Sequence, residues 1–203
     1  MRKNTLQLVI ASKNVHKIRE FKEILSKQSP IDILSLMDFP DYVPPEETGQ
    51  TFRENAIIKA EHAAKILNHW VVSDDSGLVV PALNGSPGVY SARFAGEQST
   101  DKDNRKKLLQ NMQEFDDEKR QAYYQCVIAL ASPDSLIKCF EGTCEGTISR
   151  EEKGGGGFGY DPLFIKHSYN KTFAELEHSI KNRVSHRRKA LDKLMLHLET
   201  LFR

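Results

Sequence analysis

A buried strand that carries two adjacent aspartates constrains this chain more than any other feature. Residues 70–73 start with apolar side chains, two of them β-branched, and predict a strand that ends at Asp74 and Asp75; after the polar Ser76 and Gly77, residues 78–82 are apolar again and predict a further extended segment. A buried, ionised carboxylate is unfavourable unless it pairs with a cation, binds a metal or takes up a proton. In an extended chain Asp74 and Asp75 point to opposite faces, so one can face a site while the other faces the scaffold. The alternative is a solvated turn, because Asp, Ser and Gly all favour turns.

The composition is that of an ordinary globular protein. The 203 residues, 39% hydrophobic and 28% charged, are enough for one large domain with a sizeable core. A net charge of +1 gives no basic excess that would indicate nucleic acid as a partner. The apolar run at residues 8–11 is too short for a signal peptide or a membrane span. The three cysteines form no CxxC pair, which is typical of a protein in a reducing compartment. We therefore expect a cytoplasmic protein that binds neither nucleic acid nor membrane.

The first strand and helix enclose a polar loop. Residues 6–11 read as a buried strand, and a helix follows with Ile18, Phe21, Ile24 and Leu25 on one face. A strand, a loop and a helix N-terminus together present backbone N–H groups to an anion. Lys17 in the first helical turn is disfavoured by the helix dipole, and a bound phosphate would explain it. The alternative is an exposed lysine in a polar loop that lacks the glycine spacing of a Walker motif.

Acidic residues precede the second helix. Residues 31–36 are predicted to form a second strand, and Glu46 and Glu47 lie just ahead of a predicted helix over residues 52–67. A helix N-terminus stabilises acidic side chains in any case, so Glu47 is either a favourable neighbour of the dipole or a metal ligand. The carboxylates of Glu47, Asp74 and Asp75 would suit a hard cation such as Mg²⁺, which usually arrives with substrate phosphates.

The second half of the chain predicts a hairpin, a glycine-rich loop and a basic helix start. Residues 121–131 and 136–148 form two long strands after a charged linker at 115–120. The glycines at 154–157 run into Phe158 and Tyr160, which can stack on a planar base; the alternative is a flexible loop. A final helix begins near Ser179 or Ser185, with its core stripe at Leu191, Leu194, Leu198 and Leu201. Six basic residues precede that stripe and suit either an anionic ligand or solvent: Lys181, Arg183, His186, Arg187, Arg188 and Lys189.

These features together favour an α/β protein with a mixed sheet that handles nucleotides. The motifs also resemble those of the inosine triphosphate pyrophosphatase family over nearly the whole chain. They are Ser12-x-Asn14-x-x-Lys17, Glu46-Glu47-Thr48-Gly49 with Asn55 and Lys59, Asp74-Asp75-Ser76-Gly77-Leu78, Pro87-Gly88-x-Tyr90-Ser91-Ala92-Arg93, Gly157-Phe158-Gly159-Tyr160-Asp161-Pro162 and Ser185-His186-Arg187.

The resemblance implies a fold and an activity. The fold would be a long mixed, twisted sheet flanked by helices, forming one domain over residues 1–203 with two lobes and a central cleft, usually as a homodimer. The activity would be Mg²⁺-dependent hydrolysis of deaminated purine nucleoside triphosphates (ITP, dITP and XTP) to the monophosphate and pyrophosphate. This reaction would remove from the nucleotide pool bases that are otherwise misincorporated.

The resemblance also implies residue roles. Glu47 and Asp75 would hold Mg²⁺, and Asp75 would also accept the proton of the attacking water. The residues implied to contact the substrate are Ser12, Lys13, Asn14, Val15, His16 and Lys17 for the triphosphate, with Lys59, Ser76, Phe158, Gly159, Tyr160, Asp161, Lys181, His186 and Arg187 for the remainder. Two departures from the family pattern are Ser12-Lys13 in place of a commoner Thr-Gly, and His178-Ser179-Ile180 where an acidic pair often precedes Lys181. The second departure leaves the partner of Lys181 open.

Two other functions fit the same residues. One is a pyrophosphatase for pyrimidine or modified nucleotides, and the other is a nucleotide-binding module without catalysis. The near-neutral net charge argues against an RNA-binding module.

Overall fold

The computed structural model describes residues 6–26 and 31–201, and in these residues the chain forms an α/β fold with one mixed sheet. The sheet has seven strands in the order β2-β1-β3-β4-β5-β6-β7; β1 is parallel to β2 and β3, whereas β6 is antiparallel to β5 and β7. The predicted fold class is thereby confirmed. The strands are β1 Leu6–Ile10, β2 Ile31–Ser35, β3 Trp70–Val79, β4 Gln121–Ala131, β5 Leu136–Ile148, β6 Phe164–Lys166 and β7 Lys171–Thr172. The helices are α1 Val15–Leu25, α2 Phe52–Leu67, α3 Asp101–Asn111, α4 His178–Val184 and α5 His186–Leu201.

The chain divides into two compact units. The first comprises Met1–Asp75, Cys126–Gly142 and Arg188–Arg203, and the second comprises Ser76–Gln125 and Thr143–Arg187. No helix in the described part of the chain is long and apolar enough to cross a membrane.

The core of the first unit is built from the predicted apolar stripes. Ile18, Phe21, Ile24 and Leu25 of α1 pack with Leu8 and Ile10 of β1 and with Leu191, Leu194 and Leu198 of α5. The prediction that Leu201 belongs to the core stripe of α5 is wrong, because its side chain is 41% exposed at the end of the helix. Burial of a leucine or isoleucine side chain contributes about 1.5–3 kcal/mol, so this shared cluster stabilises the β1–α1 connection.

Successive side chains of β3 lie on opposite faces of the sheet. The connections from β1 to β2 and from β2 back to β3 run in opposite directions along the sheet, so right-handed crossovers place α1 and α2 on opposite faces. Val72 packs in the cluster that contains α1, whereas the Ser73 hydroxyl donates to the Ala56 carbonyl on α2. Asp74 therefore faces α1 and Asp75 faces α2; the sequence predicted that the two would lie on opposite faces, but not which face each would take.

The sequence was wrong about where β3 ends. The strand does not stop at the aspartates but continues through Asp74, Asp75, Ser76 and Gly77 to Val79. Gly77 permits this, since a Cβ atom there would lie 2.3 Å from Ser91 Oγ and 2.5 Å from the Gly88 carbonyl oxygen. The buried carboxylates are thus internal to a strand, and each needs a partner from another element.

The second unit has an aromatic core. Tyr124 on β4 packs with Phe164 and Phe173, with ring centroids 4.7 and 5.9 Å away. Other members of this cluster are Leu78, Val80, Leu108, Met112, Cys144, Ile148, Tyr160 and Leu163.

The basic C-terminal segment forms two helices, α4 and α5, with the buried Ser185 between them. The helix starts predicted near Ser179 and near Ser185 are therefore separate helices rather than alternatives.

Arg120 contradicts the interpretation of residues 115–120 as a charged linker. Its side chain is only 2% exposed, and its guanidinium donates to the carbonyl oxygens of Met112, Ile148 and Ser149 at 2.6–2.8 Å. Since those carbonyls lie at the ends of α3 and β5, Arg120 caps both ends with side-chain donors, beside the Phe115 N–H that also reaches the Met112 carbonyl.

We expect Arg120→Met to destabilise the second unit by about 2–4 kcal/mol, because three buried carbonyls lose the guanidinium as a donor while most of the packing volume is kept, although the Met112 carbonyl retains the Phe115 N–H. Urea unfolding followed by circular dichroism measures the loss. The neighbouring exposed Lys119 provides the control, and Lys119→Met is expected to change stability by less than about 0.5 kcal/mol. Equal effects of the two substitutions would contradict the capping role.

Candidate active site

Asp75 lies in a polar cluster in the first unit, on the face of β3 that meets α2. Its Oδ2 accepts a hydrogen bond from Asn55 Nδ2 at 3.1 Å, and its Oδ1 is 3.4 Å from Lys59 Nζ. The same Lys59 ammonium is 2.8 Å from Glu47 Oε1. The structure therefore brings Glu47, Lys59 and Asp75 together, as the family resemblance implied.

Asn55 is a member of this cluster to which the sequence gave no role. It precedes Lys59 by one helical turn on α2, so both side chains face β3. Its Oδ1 accepts the Gly49 N–H at 2.8 Å while its amide donates to Asp75, which ties the acidic loop to the strand. A polar residue within the buried stripe of α2, four positions before a lysine, was the signal that could have identified it.

The electrostatics of the cluster distinguish its two central groups. Burial raises the pKa of the Asp75 carboxyl above its ordinary value, and the charges of Lys59 and Lys17 offset only part of that effect. Burial opposes the charge on Lys59, but the carboxylates of Asp75, Glu47 and Asp74 outweigh it and raise the pKa of the ammonium. Lys59 thus stays protonated, and Asp75 is a carboxylate with enhanced proton affinity, which suits a general base.

Asp74 is the partner of Lys17. The Lys17 ammonium is 3.0 Å from Asp74 Oδ2, and the Asp74 side chain is only 1% exposed. This ion pair is an explanation, besides a bound phosphate, for a lysine in the first turn of α1. It also gives Asp74 a defined contact: it holds the Lys17 ammonium from the other face of β3.

The loop before α1 is organised by its own side chains. Asn14 caps the helix, since its Oδ1 accepts the N–H groups of His16 and Lys17 at 3.0 and 3.1 Å. The Asn14 N–H in turn donates to Ser12 Oγ at 3.1 Å. Several N–H groups expected to face an anion are therefore engaged within the loop. The exposed Lys13 and the Lys17 ammonium are its positively charged side chains.

The glycine-rich loop of the second unit is fixed around Asp161. Asp161 Oδ2 accepts from the Phe158 N–H at 2.9 Å and from Lys181 Nζ at 2.6 Å. Gly157 has φ +74, and a Cβ atom there would lie 2.1 Å from that same oxygen, so only glycine fits. The Lys181 ammonium also lies 4.5 Å from the centre of the Phe158 ring. Asp161 is thus a partner of Lys181, the contact that the sequence left open.

Residues 158–161 are held by contacts with neighbouring elements. The Gly159 N–H donates to Asp101 Oδ2 at 2.7 Å, and its carbonyl accepts from Arg105 at 2.9 Å. The Tyr160 hydroxyl donates to the Ser91 carbonyl at 2.9 Å, and Tyr160 is only 3% exposed. Tyr160 therefore holds the loop in the core rather than offering a face to a base, whereas Phe158 is partly exposed.

Three of the six basic residues before the last leucine stripe are buried rather than solvated. Lys181, His186 and Arg187 are each less than 7% exposed. Arg187 donates to Ser76 Oγ at 3.0 Å, so two residues implied to contact substrate also contact each other. Solvent does explain Arg183 and Lys189, which are exposed.

The carboxylates fit a metal ion that arrives with its substrate. Glu47 and Asp75 already converge on one cation, the Lys59 ammonium. Among residues 6–26 and 31–201 no group of three or more His, Cys, Asp or Glu side chains is placed to hold a metal. Mg²⁺ in phosphate-transfer sites is often held by one or two carboxylates, with substrate phosphates and water completing the shell. Two carboxylates are therefore a sufficient donor set for such an ion.

Comparison with known proteins confirms the resemblance. The chain belongs to the Ham1 family, whose model matches residues 8–197. A dITP/XTP pyrophosphatase of Protochlamydia amoebophila is 56% identical over 97% of this chain and 99% of its own length, and one of Chlamydia trachomatis is 52% identical over 97% and 94%. The Ham1 protein structure from Staphylococcus aureus has a TM-score of 0.85 at 45% identity, covering 96% of this chain and 98% of its own. The Ham1 structure from Coxiella burnetii has a TM-score of 0.88 at 42% identity, covering 96% and 99%.

Proposed function

We propose that this protein hydrolyses deaminated purine nucleoside triphosphates, namely ITP, dITP and XTP, to the nucleoside monophosphate and pyrophosphate. The observation that carries the proposal is the Glu47–Lys59–Asp75 cluster in a chain of the Ham1 family. The name of its relatives, dITP/XTP pyrophosphatase, supports the substrate class. We further propose that it acts as a cytoplasmic homodimer, and sedimentation of the purified protein tests the dimer.

In the proposed reaction, water attacks the α-phosphorus. The bond from that phosphorus to the oxygen bridging the α- and β-phosphates breaks, and pyrophosphate leaves with the bond electrons. Asp75 accepts the proton of the attacking water, a contribution of about 10²–10⁴ in rate. Lys17, held by Asp74, and the exposed Lys13 bind the triphosphate electrostatically.

Glu47 and Asp75 would hold the Mg²⁺ ion. When bound, the ion would neutralise negative charge on the phosphate oxygens. Lys59 bridges the same two carboxylates in this structure, so it keeps them together before a nucleotide binds. Asn55 fixes the rotation of the Asp75 carboxylate through its hydrogen bond to Oδ2.

Base selection would rest on the second unit. Lys181 and Arg187 carry only hydrogen-bond donors, so they suit the 6-keto oxygen of hypoxanthine or xanthine. The 6-amino group of adenine is itself a hydrogen-bond donor, so it cannot accept from Lys181 or Arg187. Binding of adenine would leave these buried side chains without an acceptor at that position. Phe158 is partly exposed and would contact the face of the base.

A pyrophosphate-release assay tests the proposal. We expect turnover of ITP and XTP that requires Mg²⁺, with much slower turnover of ATP under the same conditions. Preferred turnover of dTTP or UTP would instead identify a pyrimidine nucleotide pyrophosphatase. Binding of ITP without pyrophosphate release would identify a non-catalytic module and overturn the proposal.

A further inference from the structure

We propose that Tyr124 is a positioning residue that sets the preference for the purine base, by fixing His186 and the loop at residues 158–161 at the same time. This inference rests on the proposed function, since it concerns how that site selects its substrate. Tyr124 lies on β4 in the second unit, and no motif in the sequence singles it out.

Tyr124 contacts both predicted base-binding segments. Its ring is stacked on the ring of His186, with centroids 4.7 Å apart and planes inclined by 10°. On the other segment, Tyr124 shares a buried cluster with Tyr160, whose backbone lies close enough to the Tyr124 hydroxyl to affect its pKa. Burial raises the pKa of this hydroxyl well above its ordinary value, so it stays uncharged over the working pH range.

The stack determines where the nitrogen atoms of His186 point. His186 is the first residue of α5 and is only 6% exposed. A flat ring parallel to the imidazole at this distance blocks its rotation, because any large tilt would drive atoms of the two rings into each other. Phe173 lies parallel to Tyr124 at 5.9 Å and 4°, so Tyr124 cannot yield by tilting in turn.

A plain core role and a positioning role predict different kinetics. If Tyr124 only fills space, its replacement lowers stability and affects ITP and ATP in parallel. If it positions the base contacts, its replacement reduces the ratio of kcat/KM for ITP to that for ATP, mainly through KM for ITP. The kcat for ITP would change little, because Asp75 and Lys59 belong to the first unit.

Two variants separate the two contacts. Tyr124→Phe keeps the ring stack and removes the hydroxyl beside the Tyr160 backbone, so we expect the ITP-to-ATP ratio to fall about threefold to tenfold. Tyr124→Leu removes both contacts, and we expect a fall of at least about tenfold with kcat for ITP within about twofold of wild type. Tyr123→Leu, the adjacent β4 residue whose side chain points to the opposite face, is the control and is expected to leave the ratio unchanged.

The outcomes distinguish this inference from the proposed function. A selective wild-type enzyme whose Tyr124 variants remain equally selective overturns the positioning role and leaves the proposed function standing. A wild-type enzyme that releases no pyrophosphate from ITP overturns both. If Tyr124→Leu does not fold, Tyr124→Phe decides, because its packing is almost that of the wild type.

Discussion

Asp75→Asn is expected to slow the release of pyrophosphate from ITP by at least about a hundredfold. Asparagine keeps the size of the side chain and an oxygen that can accept from Asn55, but it cannot take a proton from water. It also removes one of the two carboxylates proposed to hold Mg²⁺. Single-turnover measurements with saturating ITP and Mg²⁺ report the chemical step directly, and a variant with near wild-type turnover would contradict the role of Asp75 as general base.

The adjacent carboxylate provides a matched control. Asp74 is also buried on β3, but it contacts Lys17 rather than Lys59. We expect Asp74→Asn to raise KM for ITP by about tenfold with a smaller change in kcat, because the Lys17 ammonium loses the ion pair that fixes its position. An equal loss of kcat in both variants would show that general damage to β3, and not loss of the base, explains the result.

Stability measurements show whether Asp75→Asn is folded. Because the pKa of Asp75 is higher in the folded protein than in the unfolded chain, its contribution to stability is present at low pH and is lost as the pH rises through the folded pKa. Asparagine has no such dependence. The variant is therefore expected to melt at the same temperature as wild type or higher at neutral pH, with the difference shrinking toward about pH 4. A shift of 1 kcal/mol corresponds to about 2–4 °C for a chain of this size.

The sequence was most informative where a pattern is local. The stripe on α1 and most of the stripe on α5 could be predicted, because helical spacing alone determines which side chains share a face. The opposite orientation of Asp74 and Asp75 followed from the two-residue period of a strand. The grouping of Glu47, Lys59 and Asp75 came from the family resemblance rather than from any local rule.

The contacts that sequence reasoning missed join residues far apart in the chain. The Asp74–Lys17 pair, the stack of Tyr124 on His186 and the carbonyl contacts of Arg120 each depend on which elements the fold places side by side. The prediction for Arg120 was wrong because charge in a polar segment suggests exposure to solvent, whereas the fold places three carbonyl acceptors around this buried side chain. β3 was predicted to end at its aspartates because partners for both carboxylates could not be foreseen.

The second large effect is expected at the buried ion pair between Asp161 and Lys181. The two side chains are 4% and 6% exposed, and the atoms are 2.6 Å apart. Removal of one partner leaves a buried charge without compensation, so Asp161→Asn and Lys181→Met are each expected to reduce stability by about 3–5 kcal/mol. The double variant is expected to be clearly more stable than the sum of the two losses predicts, because it buries no unpaired charge.

Activity measurements on the same variants separate recognition from packing. Lys181→Met removes a proposed donor to the 6-keto oxygen, so the preference for ITP over ATP should fall by at least about tenfold. Asp161→Asn keeps an oxygen that can accept from the Phe158 N–H, and it leaves Lys181 in place. This variant should therefore weaken binding of ITP but keep more of the preference for ITP over ATP than Lys181→Met does. The exposed pair of Arg150 and Asp117, 2.8 Å apart in the same unit, supplies the control, and Asp117→Asn should change stability by less than about 1 kcal/mol. Strictly additive losses in the double variant, together with an unchanged ITP-to-ATP ratio in Lys181→Met, would show that this pair neither couples in the fold nor selects the base.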